Sequence, residues 1–344
     1  MFVSKLFKEN GSYVVKKTFN VSNINKKVNQ RVPSIAIDSK DNIHLVWYGT
    51  DDPKLENNRQ IKYAKSLDGG DTWSTAANVS YVDGFNGQSL WQEHPDILVG
   101  KDDTLFIVWE GKDKNTSNQQ IKFSKSLDGG SSWSSWKNIK SANNSQSRPT
   151  LVQDSSGKLY VFTYSKNGLS NQQIWVTSSD DGGDSWSDWS NIANSKTDSR
   201  HVDATIDTSN NIHTTWRQYD TKTKRTKIYY SFFDGSVWSK PMAVALSKDY
   251  QYFSQIGESQ GKIFITWFET TNKYEFPEED PKEGNSYITY LDGDKFQDKF
   301  LISTNSYYPN VVPKLNQNNK TFILYSLKDK FFPIYFGEAP LNSL

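Results

Sequence analysis

Ser66-Leu-Asp-Gly-Gly-Asp-Thr-Trp73 returns almost unchanged as Ser126-Leu-Asp-Gly-Gly-Ser-Ser-Trp133 and again as Ser179-Asp-Asp-Gly-Gly-Asp-Ser-Trp186. Glycine gives such a segment the positive φ of a tight turn, and the aspartate carboxylate can accept the N–H groups of the turn backbone. The segment therefore predicts a hairpin turn whose tryptophan covers the sheet beneath it. Because a turn-capping aspartate is a local backbone device, Asp68, Asp128 and Asp181 are predicted to be neither catalytic nor metal-binding.

The turn belongs to a longer repeat. Strands that end in a large aromatic residue recur at intervals of 62, 55, 52, 51 and 58 residues, with the aromatic at Trp47, Trp109, Tyr164, Trp216, Trp267 and Tyr325. Weaker versions of the turn follow at Ser231–Trp238 and Leu291–Phe296. A period of about 50 residues is typical of a propeller, whose blades bury their faces only against neighbouring blades. The repeated tryptophans are accordingly predicted to be packing residues rather than a sugar platform.

The predicted fold is all-β: a six-bladed β-propeller with four-stranded antiparallel blades in a single domain over residues 1–344. The predicted blades span approximately residues 31–80, 93–140, 147–193, 200–244, 251–302 and 307–344, the last completed by residues 1–22. Residues 2–7 and 12–20 are predicted to form a hairpin of outer strands that closes the last blade. Closure through the two ends removes the free sheet edge on which proteins aggregate.

Composition narrows the functional classes. The chain has 12 Trp, 18 Tyr and 19 Phe, which suits stacked sheets, and no Cys, which excludes disulfides and thiolate metal sites. Its 40 basic and 39 acidic residues do not segregate, so no nucleic-acid partner is expected. No cofactor and no metal are predicted. With no apolar run typical of a signal peptide or a membrane span, a soluble protein is expected, cytoplasmic or reaching a virion or the cell exterior by another route.

The three quoted octapeptides match the Asp-box pattern Ser-x-Asp-x-Gly-x-Thr/Ser-Trp, and they are called Asp-box turns, or box turns, below. With its Asp-box turns and six predicted blades, the chain resembles the sialidase (neuraminidase) superfamily over nearly its whole length. In that family three arginines bind the sialate carboxylate, a Glu activates a Tyr nucleophile, and an Asp is the general acid and base. The resemblance assigns the first arginine to Arg31, another to Arg200, and the acid and base to Asp51 or Asp52. Tyr308 or Tyr307 stands near the place of the nucleophile.

The sequence also departs from the family pattern. The fifth blade opens with Tyr252 and has no arginine, and no Glu precedes Arg200 to activate a tyrosine. A phenol with a pKa near 10 is a weak nucleophile without such a partner. The remaining arginines Arg59 and Arg225 are interpreted as lying beside third strands, away from the ligand-binding face. Asp51 and Tyr308 are therefore catalytic candidates only if the chain is an enzyme.

The working face is predicted where first strands begin and second strands end. The residues predicted to bind a ligand there are Arg31, Tyr48, Glu110, Arg148, Arg200, Arg217 and Tyr252. Cationic and aromatic groups around a shallow funnel suit an acidic carbohydrate, through bidentate hydrogen bonds and stacking. Glu269 is placed on the same rim. His94 and His201 also fall there, and without metal-ligand spacing they are interpreted as structural.

Three functions are compatible with these residues. The first is a non-catalytic module of a phage or bacterial surface that binds a glycan or a cell-surface receptor. The second is an exo-sialidase or a related glycoside hydrolase with a divergent active site. The third is a scaffold with protein partners in a larger assembly. Turnover of a sialoside separates the second from the first, and binding without turnover separates the first from the third.

Overall fold

The structure is a computed structural model, and it describes residues 1–9, 12–23, 28–52, 54, 58–80, 90–114, 116–259, 261–273, 284–304, 306–312, 321–327 and 334–339. The part of the chain it describes contains 26 β-strands and no α-helix. The chain divides into two compact units: residues 1–163 with 177–189, and residues 164–176 with 190–344. The prediction of a single domain stays a prediction.

The first unit contains a hairpin and two complete blades. The hairpin is β1 (Phe2–Glu9) and β2 (Ser12–Asn20), which form a two-stranded sheet. The first blade is β3 (Gln30–Ile37), β4 (Ile43–Gly49), β5 (Gln60–Ser66) and β6 (Ala77–Asn78). The second is β7 (Gln92–Val99), β8 (Leu105–Asp113), β9 (Thr116–Ser126) and β10 (Lys137–Asn138). Both sheets run in simple sequence order with antiparallel neighbours.

The third blade has the same strand order and contributes residues to both units. Its strands are β11 (Gln146–Gln153), β12 (Leu159–Ser165), β13 (Gln173–Ser179) and β14 (Ser190–Asn191).

The second unit continues the repeat. Its fourth blade is β15 (Ser199–Ile206), β16 (Ile212–Asp220), β17 (Arg225–Phe233) and β18 (Met242–Ala243). The fifth is β19 (Tyr250–Ser259), β20 (Lys262–Thr270), β21 (Asn285–Asp292), β22 (Lys295–Phe296) and β23 (Phe300–Thr304). The sixth contains β24 (Ser306–Val312), β25 (Thr321–Leu327) and β26 (Ile334–Ala339).

A β-bulge near the start of the first strand recurs along the chain. The register shifts between Arg31 and Ser34, Glu93 and Asp96, Arg200 and Asp203, Tyr252 and Gln255, and Tyr307 and Asn310. A non-glycine residue has positive φ at this point in five blades: Val32 (49°), His94 (50°), Arg148 (48°), His201 (56°) and Phe253 (53°). A bulge re-aims the side chains around it. Left-handed backbone at residues of this size persists only where the surrounding structure enforces it.

The second strands carry the core, and the tryptophans that end them are its centre. Trp47, Trp109, Trp216 and Trp267 are all fully buried, which confirms their predicted packing role. Each buried indole N–H must find an acceptor. The acceptors are Gln30, Gln92, Gln218 and Glu269 respectively. Glu269 thus accepts the indole N–H of its blade as glutamine does in three others, and its other oxygen accepts from Lys299 Nζ at 2.7 Å.

The repeated octapeptides form the predicted turns. In the first, one oxygen of Asp68 accepts the Thr72 N–H at 2.8 Å and the other accepts the Thr72 hydroxyl at 2.6 Å. These bonds lower the pKa of Asp68, and equivalent bonds lower the pKa of Asp128 and of Asp181. Each of the three carboxylates thus accepts hydrogen bonds from the residues of its own turn. In three of the turns the aromatic residue packs on the preceding blade: Trp133 on Tyr63, Trp186 on Phe123 and Phe296 on Tyr230.

The N-terminal hairpin makes the contacts that a preceding blade makes. Val3 and Phe19 join the core cluster that contains Trp47 and Trp73. Lys17 Nζ donates to the carbonyl of Asp71 in the first box turn at 3.4 Å. Third-strand lysines reach the next blade's turn in the same way, Lys65 to Gly129 at 2.7 Å and Lys125 to Gly182 at 3.1 Å. Toward the first blade, the hairpin therefore makes the contacts of an outer blade edge. In the described residues β1 and β2 pair only with each other, and the predicted closure of the sixth blade by this hairpin stays a prediction.

Candidate functional site

Two cross-strand pairs place four polar side chains at one end of the first two blades, the strand-entry end. Here "strand-entry end" means the end of a sheet where the first strand begins and the second strand ends. Arg31 of β3 lies opposite Tyr48 of β4, and Glu93 of β7 lies opposite Glu110 of β8. Directly opposed residues are the closest neighbours on one sheet face. The two blades thus present an arginine, a phenol and two carboxylates at equivalent positions.

His94 joins this group because the bulge of β7 turns it toward Glu110. Its Nδ1 lies 2.6 Å from Glu110 Oε1, and its ring lies 5.4 Å from the ring of Tyr48. The second oxygen of Glu110 accepts the backbone N–H of Arg148 at 2.7 Å and a longer bond from Gln119 at 3.4 Å. Glu110 is 4% exposed, so these contacts replace water around its charge. The sequence favours a structural role for His94, and the structure places it at the centre of the site.

Arg59 completes the group, which corrects its interpretation as a residue away from this face. Its Nε donates to Glu93 Oε1 at 2.5 Å, a second guanidinium nitrogen reaches the same oxygen, and the guanidinium carbon lies 6.0 Å from the centre of the Tyr48 ring. The physical reason is antiparallel geometry. A third strand begins at the end of the sheet where the second strand finishes, so a residue that opens a third strand lies at the strand-entry end.

The charges of the group set the protonation of its acids. Burial alone raises the pKa of Glu110, but the charge and hydrogen bond of His94, with Arg148, outweigh it and hold the pKa below its ordinary value. Burial, helped by the nearby Glu93, raises the pKa of Tyr48, while Arg31, Arg59 and Arg148 oppose the shift. At neutral pH Glu110 is therefore a carboxylate and Tyr48 a neutral phenol.

Glu93, His94 and Glu110 also have the composition of a metal site, and their ligand atoms lie within 4.8 Å of one another. The contacts present do not leave that site open. Arg59 neutralises Glu93, and Glu110 already binds His94 Nδ1 and the Arg148 N–H. A divalent ion would have to displace a guanidinium, and it would share the site with a positive charge. Together with the neighbouring arginines, these three side chains suit the binding of an organic anion better than the binding of a metal cation.

The three arginines predicted at strand entrances are not equivalent. Arg31 and Arg200 directly precede the bulge, whereas Arg148 is the bulge residue itself and corresponds to Val32 and His94. Arg31 is exposed, and Arg148 is half-buried. Both lie close enough to Tyr48 for their charges to act on its pKa. These two arginines and Arg59 leave the first-unit group with an excess of positive charge over its two carboxylates.

In the second unit, Arg200 and Arg217 form the corresponding cross-strand pair. Arg200 donates to Asp198 at 2.9 Å. Arg217 is 8% exposed, and its guanidinium lies 5.6 Å from the centre of the Tyr252 ring. Tyr252 is fully buried beside Phe253 and Phe268. The Arg217 guanidinium therefore stacks on a buried aromatic cluster. The ligand contacts predicted for Arg200, Arg217 and Tyr252 stay predictions.

The structure describes only one of the two side chains proposed for sialidase chemistry. Asp51 has a largely exposed side chain whose carboxylate accepts from Lys62 Nζ at 2.5 Å. The backbone of Tyr308 lies in β24 at the sixth bulge, and its side chain lies outside the described residues. Their catalytic roles therefore stay predictions.

Four-stranded sheets whose third and fourth strands are joined by Asp-box turns define a sialidase-like, blade-repeat protein of the six-bladed β-propeller class. Residues 14–265 match the family of the BNR repeat-like domain, and the chain belongs to that family. No curated protein sequence matches the chain. No helix in the described residues has the length and apolar character needed to cross a membrane.

Solved structures share the fold at low sequence identity. A protein of unknown function from Dyadobacter fermentans is 13% identical with a TM-score of 0.64, the match covering 92% of this chain and 95% of that one. The intramolecular trans-sialidase from Ruminococcus gnavus, in complex with oseltamivir carboxylate, is 13% identical with a TM-score of 0.59, covering 92% and 95%. A polysaccharide lyase, an ulvan lyase bound to -[GlcA(1-4)Rha3S]-, is 12% identical with a TM-score of 0.59, covering 88% and 81%.

Proposed function

We propose that this chain binds an acidic glycan at the strand-entry end of its first unit, without sialidase chemistry. The observation that carries the proposal is the exposure of the Arg31 side chain at the strand-entry end. This side chain lies beside Tyr48, and within the described residues its guanidinium has no ion-pair partner. An arginine with no packing role that faces solvent beside a phenol is suited to bidentate recognition of a carboxylate or sulfate.

The surroundings favour an acidic ligand over a neutral one. Arg59 is ion-paired with Glu93, and Arg31 adds a positive charge at the exposed edge of the group. The neutral Tyr48 hydroxyl can donate or accept a hydrogen bond, and Gln119 adds an amide that also contacts Ser147 at 2.6 Å. Such mixed donors suit the hydroxyl groups of a sugar ring beside its acidic group. The saccharide bound to the ulvan lyase supports a carbohydrate as the ligand class, and the oseltamivir carboxylate bound to the trans-sialidase supports an acidic ligand.

The proposal is tested by binding of the purified chain to an array of sialylated, uronate-containing, sulfated and neutral glycans. Arg31→Ala should weaken binding of the best acidic glycan about tenfold or more, since a hydrogen bond to a charged group contributes about 1.5–3 kcal/mol. Arg225→Ala is the matched control, because Arg225 stacks on Tyr250 in the second unit. The absence of acidic-glycan binding, or equal losses in both variants, would contradict the proposal and move the interpretation toward a scaffold with protein partners.

An exo-sialidase is the second candidate, because Arg31 matches the first arginine of that family and a trans-sialidase is among the structural neighbours. Fold alone does not carry this activity. Release of the fluorophore from a fluorogenic sialoside, abolished by Tyr308→Phe and by Asp51→Ala, would establish it. Binding of the same sialoside without release would favour the binding module.

A further inference from the structure

We propose that His94 and Glu110 form a base dyad that cleaves a bound uronate-containing glycan by β-elimination, with Tyr48 as the proton donor. The inference rests on the proposed function, because the glycan must first bind at the same group of residues. It adds a reaction and narrows the ligand from an acidic glycan to one built on 4-linked uronic acid.

The geometry of the dyad assigns the base. Ionised Glu110 can only accept hydrogen bonds, so the 2.6 Å contact requires a proton on His94 Nδ1 and leaves the lone pair of a neutral imidazole on Nε2. Glu110 is 4% exposed and stands behind the ring, where it fixes the orientation and the tautomer of His94. A base held by a buried third group is the usual arrangement for proton abstraction. Glu110 is therefore a positioning residue, and His94 is the catalytic one.

The same contacts argue against hydrolysis by a pair of carboxyl groups. Glu93 and Glu110 have oxygens within 4.8 Å of each other, and retaining glycosidases use carboxyl groups about 5 Å apart. Such a pair needs one protonated member. Here Glu93 is ion-paired with Arg59, and the pKa of Glu110 is held below its ordinary value, so neither is a source of protons. The remaining proton donor of the group is Tyr48, a neutral phenol whose ring lies 5.4 Å from that of His94.

Elimination also needs a neutralised substrate carboxylate, and the arginines meet this need. The hydrogen on C5 of a uronate is acidic only when charge at C6 is stabilised, since the electrons move onto that carboxylate as the proton leaves. Arg31 is exposed beside Tyr48, and Arg148 acts electrostatically on both Tyr48 and Glu110. A carboxylate bound by these arginines would lie in the same group of residues as His94 and Tyr48, as the elimination requires.

The step balances without water, an oxidant or a metal. His94 Nε2 takes the C5 proton, the C5–H electron pair becomes the C4=C5 double bond, and the C4–O4 bond breaks. O4 leaves with its electrons and takes the proton of the Tyr48 hydroxyl. Proton transfer from His94 back to Tyr48 through solvent restores the site. The products are one new chain end with a free hydroxyl and one unsaturated uronate that absorbs ultraviolet light.

The chemistry separates uronates from sialic acid. The carbon that bears the carboxylate in a sialoside carries no hydrogen, so a sialoside can bind to these arginines but cannot undergo this elimination. The assay follows ultraviolet absorbance of the full chain incubated with polygalacturonate, alginate, a glucuronate-containing polysaccharide and sialyllactose, with binding measured in parallel. Appearance of absorbance with a uronate substrate and none with sialyllactose is expected.

Three variants test the roles. His94→Asn, chosen because asparagine tolerates left-handed backbone, should lower the rate about 10²- to 10⁴-fold and change binding less than about threefold. Tyr48→Phe should also lower the rate with binding retained. Glu110→Gln should lower the rate and move the acidic limb of the pH profile, which reports the base; a purely structural residue would not move it. Arg225→Gln is the control and should change neither quantity.

The two proposals fail in different ways. Binding of a uronate polysaccharide with no absorbance change in the wild-type chain overturns the elimination and leaves the binding function in place. Absorbance that persists in folded His94→Asn, judged by circular dichroism, also overturns it. If His94→Asn does not fold, undiminished turnover by Tyr48→Phe with an unmoved pH profile in Glu110→Gln overturns the assignment. No binding of any acidic glycan removes both proposals.

Discussion

The second glycine of the turn at residues 126–133 is a sensitive point of the fold, and this turn offers a matched comparison. Gly129 and Gly130 both have left-handed backbone, with φ of 63° and 78°. A Cβ added at Gly129 meets nothing within 4 Å, whereas one added at Gly130 would lie 1.9 Å from the Tyr63 hydroxyl and 2.3 Å from its ring carbon. Only the second substitution therefore disturbs the packing of one blade on the next.

The magnitudes follow from these two contributions. Left-handed backbone costs alanine about 1–2 kcal/mol, which both variants share. Overpacking at Tyr63, a residue 2% exposed in the core, adds about 1–3 kcal/mol to Gly130→Ala alone. Denaturant unfolding followed by tryptophan fluorescence should therefore give a lower midpoint for Gly130→Ala than for Gly129→Ala, at similar slopes. Equal midpoints would refute the contact between this turn and the preceding blade.

Three further predictions concern stability and the site. Removal of residues 1–22 should lower the midpoint of thermal unfolding of the remaining chain, because Val3 and Phe19 pack with Trp47 and Trp73. An unchanged midpoint would contradict this packing of the hairpin on the first blade. Burial lowers the pKa of His44 and of His213, so the unfolded chain binds protons more readily and stability should fall as pH drops below about 6.5; a weaker pH dependence in His213→Asn checks this. Asp128→Ala should lower the melting temperature without altering glycan affinity, because its carboxylate binds only its own turn in the described contacts.

Much of the fold could be predicted because its signals are local. A glycine with positive φ, a capping aspartate and a covering tryptophan lie within eight residues, so the turns around Asp68, Asp128 and Asp181 can be recognised from sequence. The repeat spacing gives the order of the blades, and burial of Trp47 and its counterparts follows from that spacing.

The site was less predictable because it depends on register. Aligning strand entrances by their arginines equates Arg148 with Arg31, but the bulge shifts Arg148 by one residue. The signal that could have shown this is the shared Gln-x-x-Pro of Gln30–Pro33, Gln92–Pro95 and Gln146–Pro149. It aligns His94 with Val32 and Arg148. Left-handed backbone just before proline is unusual, so the pattern marks an enforced bulge.

Contacts between blades were the hardest part to predict. Arg59 reaches Glu93, 34 residues away, and His94 reaches Glu110 only because the bulge redirects its side chain. Neither contact follows from spacing along the chain. The first contact depends on how the first two blades pack against each other, and the second on the bulge of β7 within the second blade.

The most direct test of the binding site is a crystal structure of the chain with a short oligouronate, such as a trisaccharide of galacturonic acid, using Glu110→Gln to slow cleavage. The proposed site predicts a sugar carboxylate at hydrogen-bond distance, about 3 Å, from the Arg31 guanidinium, with C5 of the same ring facing His94 Nε2. A saccharide bound at the box turns, or in the second unit with Arg31 left in solvent, would contradict it.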